Sequence, residues 1–133
     1  HPYFVPPAHT AWAREILGPN ALLCPEQMLC LETDEGRART IARTHMATYI
    51  TLDNYKNNLK QFGFDEADFE NGGSDKLVDA IFGWGDEQAL RDRIQAHWNA
   101  GANHVCIQTL KDEVERGPDL DLLKLLAPIN TPR

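Results

Sequence analysis

The sequence predicts an α/β fold in which short buried strands alternate with amphipathic helices. Two apolar runs carry this prediction. Residues 28–31 are continuously apolar, which is typical of a parallel strand covered on both faces. A second run, residues 104–108, follows a helix that ends at Gly101. Strands alternating with helices in this way imply right-handed crossovers and a parallel sheet.

The first predicted unit is a strand followed by a helix. Residues 1–5 have the apolar and aromatic character of a strand. Pro7 suits the first turn of a helix, and Gly18 is placed to end that helix after Leu17. One apolar face of this helix, which we expect to be buried, consists of Ala8, Trp12 and Ile16.

The next strand is predicted over residues 27–32, with Asp34 as a cap for a helix over residues 35–49. Residues 51–85 contain short helical patterns and no convincing strand, so we interpret them as a helical insertion. A longer helix over residues 87–100, capped by Asp86, then leads to the strand at 104–108. A last amphipathic helix lies near the end of the chain.

Composition excludes several classes of partner. The 133 residues carry a net charge of −7 with scattered basic residues, so a nucleic-acid backbone would be repelled. No apolar stretch approaches the roughly 20 residues that span a bilayer, so we expect no membrane partner. The three cysteines, Cys24, Cys30 and Cys106, lie in apolar surroundings without zinc-ligand spacing. They indicate buried free thiols in a reducing cytoplasm.

Three parallel strands are few for an independent sheet, because both outer edges would remain exposed. The chain also begins at His1 rather than at a methionine. We therefore expect a single segment, residues 1–133, of a wider sheet or barrel, completed by the rest of that barrel or by a homo-oligomer. The alternative is a small non-catalytic α/β module that dimerises through its exposed sheet edges.

Four stretches together carry a family resemblance. "HPYFVPPAHTAWAREILG", "DNYKNNLKQFGF", "GGSDKLVDAIFGWGD" and "NAGANHVCIQTL" resemble the C-terminal half of luciferase-like oxidoreductases, and most closely the branch that uses the deazaflavin coenzyme F-420. The resemblance implies a TIM-type (αβ)8 barrel. Residues 1–5, 27–32 and 104–108 would be strands six, seven and eight, and residues 51–85 an insertion between the last two.

The same resemblance implies an activity. The intact parent would transfer a hydride between coenzyme F-420 and a small organic substrate. An FMN-dependent monooxygenase of the same superfamily is the alternative. Most cofactor contacts of the family lie on earlier strands, so we expect the present chain alone to be inactive. No metal site is expected.

In a barrel of this kind the active site lies at the C-terminal ends of the strands. That rule selects five residues as one wall of a substrate and cofactor pocket: Tyr3, Phe4, Glu32, Gln108 and Thr109. Each has a structural alternative. Tyr3 could fill the core, Glu32 could help Asp34 to cap the next helix, and Gln108 could make a structural hydrogen bond.

Two further residues are candidates on chemical grounds. His1 could carry a proton, because the unperturbed pKa of histidine lies near neutrality. Arg116, after the last strand, could hold an anionic group, with an exposed, solvated charge as the alternative.

Overall fold

A computed structural model describes residues 1–112 and 117–128 of the chain. Arg116 therefore lies outside the described residues. The described residues contain three strands, β1 (Glu26–Leu31), β2 (Gly83–Gly85) and β3 (Cys106–Leu110). The helices are α1 (Pro7–Leu17), α2 (Glu35–Met46), α3 (Asp53–Lys60), α4 (Asp75–Ile81), α5 (Glu87–Asn99) and α6 (Leu120–Leu126). Two 3-10 segments, Tyr49–Thr51 and Glu66–Gly72, flank α3.

The three strands form one parallel sheet in the order β2-β1-β3. Leu29 is the centre of this sheet, pairing with Gly83 on one side and with Thr109 on the other. The predicted α/β class with a parallel sheet is confirmed. The strand β1 begins and ends one residue before its predicted bounds, and β3 lies two residues after them.

The predicted strand over residues 1–5 is wrong. These residues are irregular, and Phe4 has a φ of 54°, a conformation incompatible with a strand. The position beside β1 is taken instead by β2, which lies at the end of the predicted helical insertion. The rest of that insertion, from Tyr49–Thr51 to α4, is helical as predicted.

Helices cover both faces of the sheet because the side chains of β1 alternate. Met28 and Cys30 pack in a core with residues of α2 and α4, which includes Met46 and Val78. Leu29 points to the other face and packs with Leu90 of α5 and with two leucines of α6, Leu122 and Leu126. The nearly continuous apolar character of β1 is explained by this double coverage.

The helix caps follow the sequence closely. Asp34 accepts a hydrogen bond from the backbone of Arg37 at the start of α2, and Asp86 accepts one from Ala89 at the start of α5. Ser74 caps α4 through the backbone N–H of Leu77. Each side chain satisfies a backbone donor that the helix itself leaves unpaired.

Helix α1 buries a different face from the predicted one. Its buried residues are His9, Thr10 and Ala13, whereas Trp12 and Ile16 are 42% and 64% exposed. The prediction of a buried Ala8–Trp12–Ile16 stripe is therefore wrong. Hydrogen bonds of Thr10 and Arg14 explain this orientation.

A buried hydrogen-bonded chain joins α1, β1 and α5. The ring of His97 lies 2.9 Å from Thr10 Oγ1 through Nδ1 and 3.0 Å from Gln27 Oε1 through Nε2. The amide nitrogen of Gln27 donates to the carbonyl oxygens of Met28 and Ile81, so its Oε1 must accept from His97. His97 is therefore the Nε2–H tautomer, and its Nδ1 accepts from the Thr10 hydroxyl.

Arg14 holds the other end of α1 in place. Its guanidinium donates to the carbonyl oxygens of Gly18, Ala21 and Gly101 and to Oδ1 of Asn103. These four hydrogen bonds tie α1 to the turn between α5 and β3. Such a planar, multidentate contact sets the rotation of the helix as well as its position.

Gly83 is required where β2 passes between β1 and α5. A Cβ atom at this position would lie 2.6 Å from Leu29 Cδ2 and 2.8 Å from Arg93 Cγ. We expect Gly83→Ala to lower the free energy of unfolding by about 1–3 kcal/mol, the usual cost of overpacking. Urea unfolding measures this change.

Gly36→Ala is the matched control, because a Cβ there would meet only Asp34 Oδ1 at 3.4 Å. Alanine in the helix α2 should leave stability unchanged or raise it by up to about 1 kcal/mol. Equal effects of the two substitutions would contradict the packing explanation.

The cysteines are free, as predicted, but they are not all buried. Cys30 is buried in the core, Cys24 is half-buried and Cys106 is exposed. Burial raises the pKa of the Cys30 thiol to about 11, so it remains protonated at neutral pH. None of the described helices is long and apolar enough to cross a membrane.

Candidate functional site

Two pockets adjoin the open side of β3 and share Leu110 in their walls. The rim pocket, with a volume of about 390 Å³, lies where β1 and β3 end. Its lining residues include Cys30, Glu32, Arg37, Asp112 and Asp119. The aromatic pocket, of about 560 Å³, lies along β3. Its lining residues include Tyr3, Met28, Tyr49, Gln108 and Thr109.

Tyr3 and Gln108 make the main polar contact of the aromatic pocket. The Tyr3 hydroxyl donates to Gln108 Oε1 over 2.7 Å, although the two residues are far apart in the sequence. Burial, with smaller contributions from Glu26 and Tyr49, raises the pKa of Tyr3 to about 12. The phenol therefore stays protonated at neutral pH and acts as a hydrogen-bond donor.

The rings beside Tyr3 form a compact aromatic wall. The centroid of Tyr3 lies 5.3 Å from that of Tyr49 and 4.4 Å from that of Phe4. Phe4 is only 3% exposed, belongs to the core and does not line the pocket. Its predicted place in the pocket wall is therefore corrected to a supporting role behind Tyr3. Phe4 has a φ of 54°, an uncommon backbone conformation for a residue other than glycine, and its ring, like that of Tyr3, contacts Tyr49.

Thr109 lines the aromatic pocket but its hydroxyl is engaged. Its Oγ1 donates to the carbonyl oxygen of Asp119 over 2.9 Å, and the residue is buried. This contact fixes the start of α6 against β3. Thr109 shapes the pocket rather than offering a free polar group to a ligand.

Glu32 lines the rim pocket and makes polar contacts at the start of α2. Its Oε1 accepts from the backbone N–H of Asp34 over 2.9 Å, and its Oε2 lies 3.1 Å from Arg37 Nε. Arg37 also reaches Asp112, 3.4 Å away. The alternative role of Glu32, in capping the helix with Asp34, matches these contacts.

His1 lines neither of the two pockets. Its ring stacks edge-on against His9 at 4.8 Å and its Nε2 lies 3.3 Å from Thr10 Oγ1. It thus joins the end of the buried chain that leads to His97. The hypothesis that His1 carries a proton in the site has no geometric support among the described residues.

Sequence reasoning missed Glu26, whose carboxyl group is buried beneath this region. Burial raises its pKa to about 7, and Oε1 has no hydrogen-bond partner among the described residues. A glutamate at the start of an apolar strand, directly after Pro25, was the available signal. Tyr49 was also missed as a pocket residue, because its helical periodicity predicted only a packing role.

The described residues contain no group of histidine, cysteine and acidic side chains arranged to hold a metal ion. Comparison with known protein families, with characterised proteins and with solved structures finds no significant match.

Proposed function

We propose that this chain is the C-terminal portion of a luciferase-like oxidoreductase that uses coenzyme F-420 and acts on a small organic substrate. The observation that carries the proposal is the convergence of Tyr3, Gln108 and Thr109 on one pocket. These residues come from opposite ends of the sequence and line one pocket, although Tyr3 lies in no strand and Gln108 and Thr109 precede the last residue of β3.

The aromatic pocket suits one edge of a planar ring system. Tyr3 and Tyr49 supply aromatic surface, Met28 supplies an apolar floor, and Gln108 with Tyr3 supplies hydrogen bonds. A pocket that combines apolar walls with a few placed polar groups is typical of small-molecule sites. The flavin or deazaflavin, when bound, would supply the hydride chemistry. The chain's own residues would orient the substrate and exclude water.

The barrel is part of the same proposal. Each of β2 and β3 pairs on one side only among the described residues, and barrel closure requires strands at both free edges. The face that carries Met28, Cys30 and Gln108 would line the barrel interior. In the present chain α2 covers part of that face, so the proposal requires α2 to move outward in the intact parent.

Hydrogen exchange tests the barrel. Cys106 N–H donates to the carbonyl oxygen of Pro25, so the alternate residues Ile107 and Thr109 direct their backbone groups away from β1, where the carbonyl oxygen of Thr109 accepts a hydrogen bond from the backbone N–H of Asp119. Both amides should exchange slowly in the intact parent and at least tenfold faster in residues 1–133. Equal protection in the two proteins would contradict closure at this edge.

Titration of the intact parent with F-420 and with FMN, followed by fluorescence, tests the cofactor. We expect saturable binding of F-420 and no cofactor-dependent turnover by residues 1–133 alone. Binding of FMN alone would favour the FMN-dependent monooxygenase instead. Turnover by the isolated chain would contradict the proposal that the main cofactor contacts lie elsewhere.

The role of Tyr3 is tested by Tyr3→Phe in the intact parent. Loss of the hydroxyl, which holds Gln108 in place, should weaken substrate or cofactor binding by up to about tenfold, the usual net value of one hydrogen bond. Tyr55→Phe is the matched control, because Tyr55 belongs to the same aromatic cluster but does not line the pocket. An equal loss in both variants would show a general packing effect.

A non-catalytic module that dimerises through its sheet edges is the second candidate. The free edges of β2 and β3 are the observation in its favour. It predicts an intact protein without affinity for either cofactor and with the Ile107 and Thr109 amides protected by self-association. Cofactor binding by the parent would exclude it.

A further inference from the structure

The side-chain amide of Gln108 presents hydrogen-bond donors to the aromatic pocket. Its Oε1 accepts the Tyr3 hydroxyl over 2.7 Å. Its Nε2 carries two N–H donors, and these have no partner among the residues that the structure describes. Gln108 is exposed and lines the pocket, so a ligand in the pocket can reach these donors.

Tyr3 decides which end of this amide is available. A glutamine amide can be rotated to present either its oxygen or its nitrogen, and the hydrogen-bond network selects the orientation. The pKa of Tyr3 is raised to about 12, so the phenol keeps its proton and donates it. With the amide reversed, the nitrogen would face the hydroxyl and the Tyr3 proton would lose its acceptor. The accepted hydrogen bond also polarises the amide and strengthens its N–H donors.

The other polar side chains that line the aromatic pocket contribute less to its selectivity. The hydroxyl of Thr109 donates to the carbonyl oxygen of Asp119, and that of Thr44 donates to the carbonyl oxygen of Thr40 over 3.1 Å. His45 makes a contact of its own. A tyrosine hydroxyl such as that of Tyr49 can either donate or accept, so it favours neither kind of ligand group. The fixed amide of Gln108 therefore selects for a ligand that carries an acceptor.

The surroundings of this donor suit the apolar part of a planar ligand. Met28 is the register partner of Gln108 on β1 and is only 4% exposed, so it forms an apolar floor beside the amide. The rings of Tyr3 and Tyr49, with centroids 5.3 Å apart, form the adjoining wall. The pocket volume of about 560 Å³ lies in the range of small-molecule sites.

We propose that Gln108 is the specificity-determining residue of the aromatic pocket, and that the pocket takes small aryl carbonyl compounds whose carbonyl oxygen accepts from Gln108 Nε2. In identifying these compounds as the substrate class, the proposal rests on the proposed function. The binding preference itself is a property of residues 1–133 and needs no cofactor.

Two probes that differ at one position test the preference. In para-hydroxyacetophenone a carbonyl group stands where para-ethylphenol has a methylene group, and the rest of the two molecules is the same. NMR titration of isotope-labelled residues 1–133 gives the dissociation constant of each probe. The carbonyl probe should bind about 3- to 10-fold more tightly, the net value of one hydrogen bond. It alone should shift the side-chain amide signals of Gln108 downfield.

Variants of Gln108 and Tyr3 separate the hydrogen bond from general packing. Gln108→Glu keeps an acceptor for Tyr3 but has no N–H donor, so the two probes should bind equally. Gln108→Met adds no charge and should give the same result. Tyr3→Phe should lower the preference while para-ethylphenol still binds, because the amide is no longer held in one orientation. Gln88→Glu is the matched control, since Gln88 is exposed on α5 and bonds only Asp92; it should keep the wild-type preference.

Circular dichroism of each variant checks that the helices remain folded. Equal affinity of the wild-type chain for the two probes would overturn the proposal, and so would the absence of binding by both at millimolar concentration. A preference that survives in both Gln108 variants would overturn it as well. These outcomes are independent of the F-420 titration of the intact parent, so a failure of the pocket preference and a failure of the proposed function are distinguishable.

Discussion

Replacing Gln27 with leucine should lower the free energy of unfolding by about 3 kcal/mol or more. Gln27 is 1% exposed and connects three buried polar groups, the ring of His97 and the carbonyl oxygens of Met28 and Ile81. Leucine has a similar size but leaves all three groups without this partner. Each buried polar group that loses its hydrogen bond costs about 1–3 kcal/mol.

Urea unfolding of Gln27→Leu against wild type measures this effect. Gln88→Leu provides the matched control, because Gln88 is exposed on α5 and bonds only Asp92 on its own helix. A change within about 0.5 kcal/mol is expected there. A loss below about 1 kcal/mol for Gln27→Leu would contradict the role given to this network.

The ionisation of Glu26 and that of His97 should change the stability of the fold with pH in opposite directions. Burial raises the pKa of Glu26 from 4.5 to about 7, so the stability it contributes is present below pH 4.5 and lost as the pH rises toward 7. Burial, with the nearby charge of Arg93, lowers the pKa of His97 from 6.5 to about 4. Its contribution is present above pH 6.5 and lost as the pH falls toward 4.

Between about pH 4.5 and 6.5 the two slopes have opposite signs and similar size, at most about 1.4 kcal/mol per pH unit each. Glu26→Gln should therefore make stability rise more steeply with pH than in the wild type. His97→Gln should shift the slope in the other direction. His9, whose pKa burial also lowers, adds to the His97 side in all three proteins and cancels in the comparison.

Unfolding free energies at half-unit steps from pH 4.5 to 7 test the prediction. The slopes of the variants, rather than their absolute stabilities, are compared, because either substitution also removes a packed side chain. Asp68 and Asp79 have lowered pKa values and titrate below this window. Slopes that are the same in all three proteins would show that neither group keeps its shifted pKa.

The prediction of the helices and of β1 and β3 succeeded because their signals are local. Asp34, Ser74 and Asp86 cap helices that the side-chain periodicity also predicts. The continuous apolar run of β1 reflects helices on both faces of the sheet. For the last helix the buried pair is Leu122 and Leu126.

The strand β2 and the irregular start of the chain could not be predicted from local signals. Gly83–Gly85 has three residues, two of them glycines, and is a strand because β1 lies beside it. Residues 1–5 have strand-like composition, yet Tyr3 bonds Gln108 and Phe4 packs in the aromatic core. For both segments, partners distant in the sequence decide the conformation.

Some of the pocket residues could be predicted from the sequence and others could not. The aromatic pocket contains three of the residues selected as strand ends, Tyr3, Gln108 and Thr109, although Tyr3 lies in no strand and β3 ends later, at Leu110. Glu32 lines the rim pocket. The predicted strand ends could not show that Phe4 packs in the core or that Glu26 Oε1 is buried without a hydrogen-bond partner among the described residues. Those outcomes depend on the path of residues 1–5 across the sheet.

The sequence by itself determined the α/β class, the parallel sheet, the free thiols and the starts of the capped helices α2 and α5, since periodicity and caps act over a few residues. Only the tertiary structure decided which face of α1 is buried. The apolar stripe of Ala8, Trp12 and Ile16 predicts one orientation, and the hydrogen bonds of Thr10 and Arg14 impose a different one. A buried polar group without a partner costs more than an exposed apolar side chain, so distant hydrogen-bond partners outweigh the local pattern.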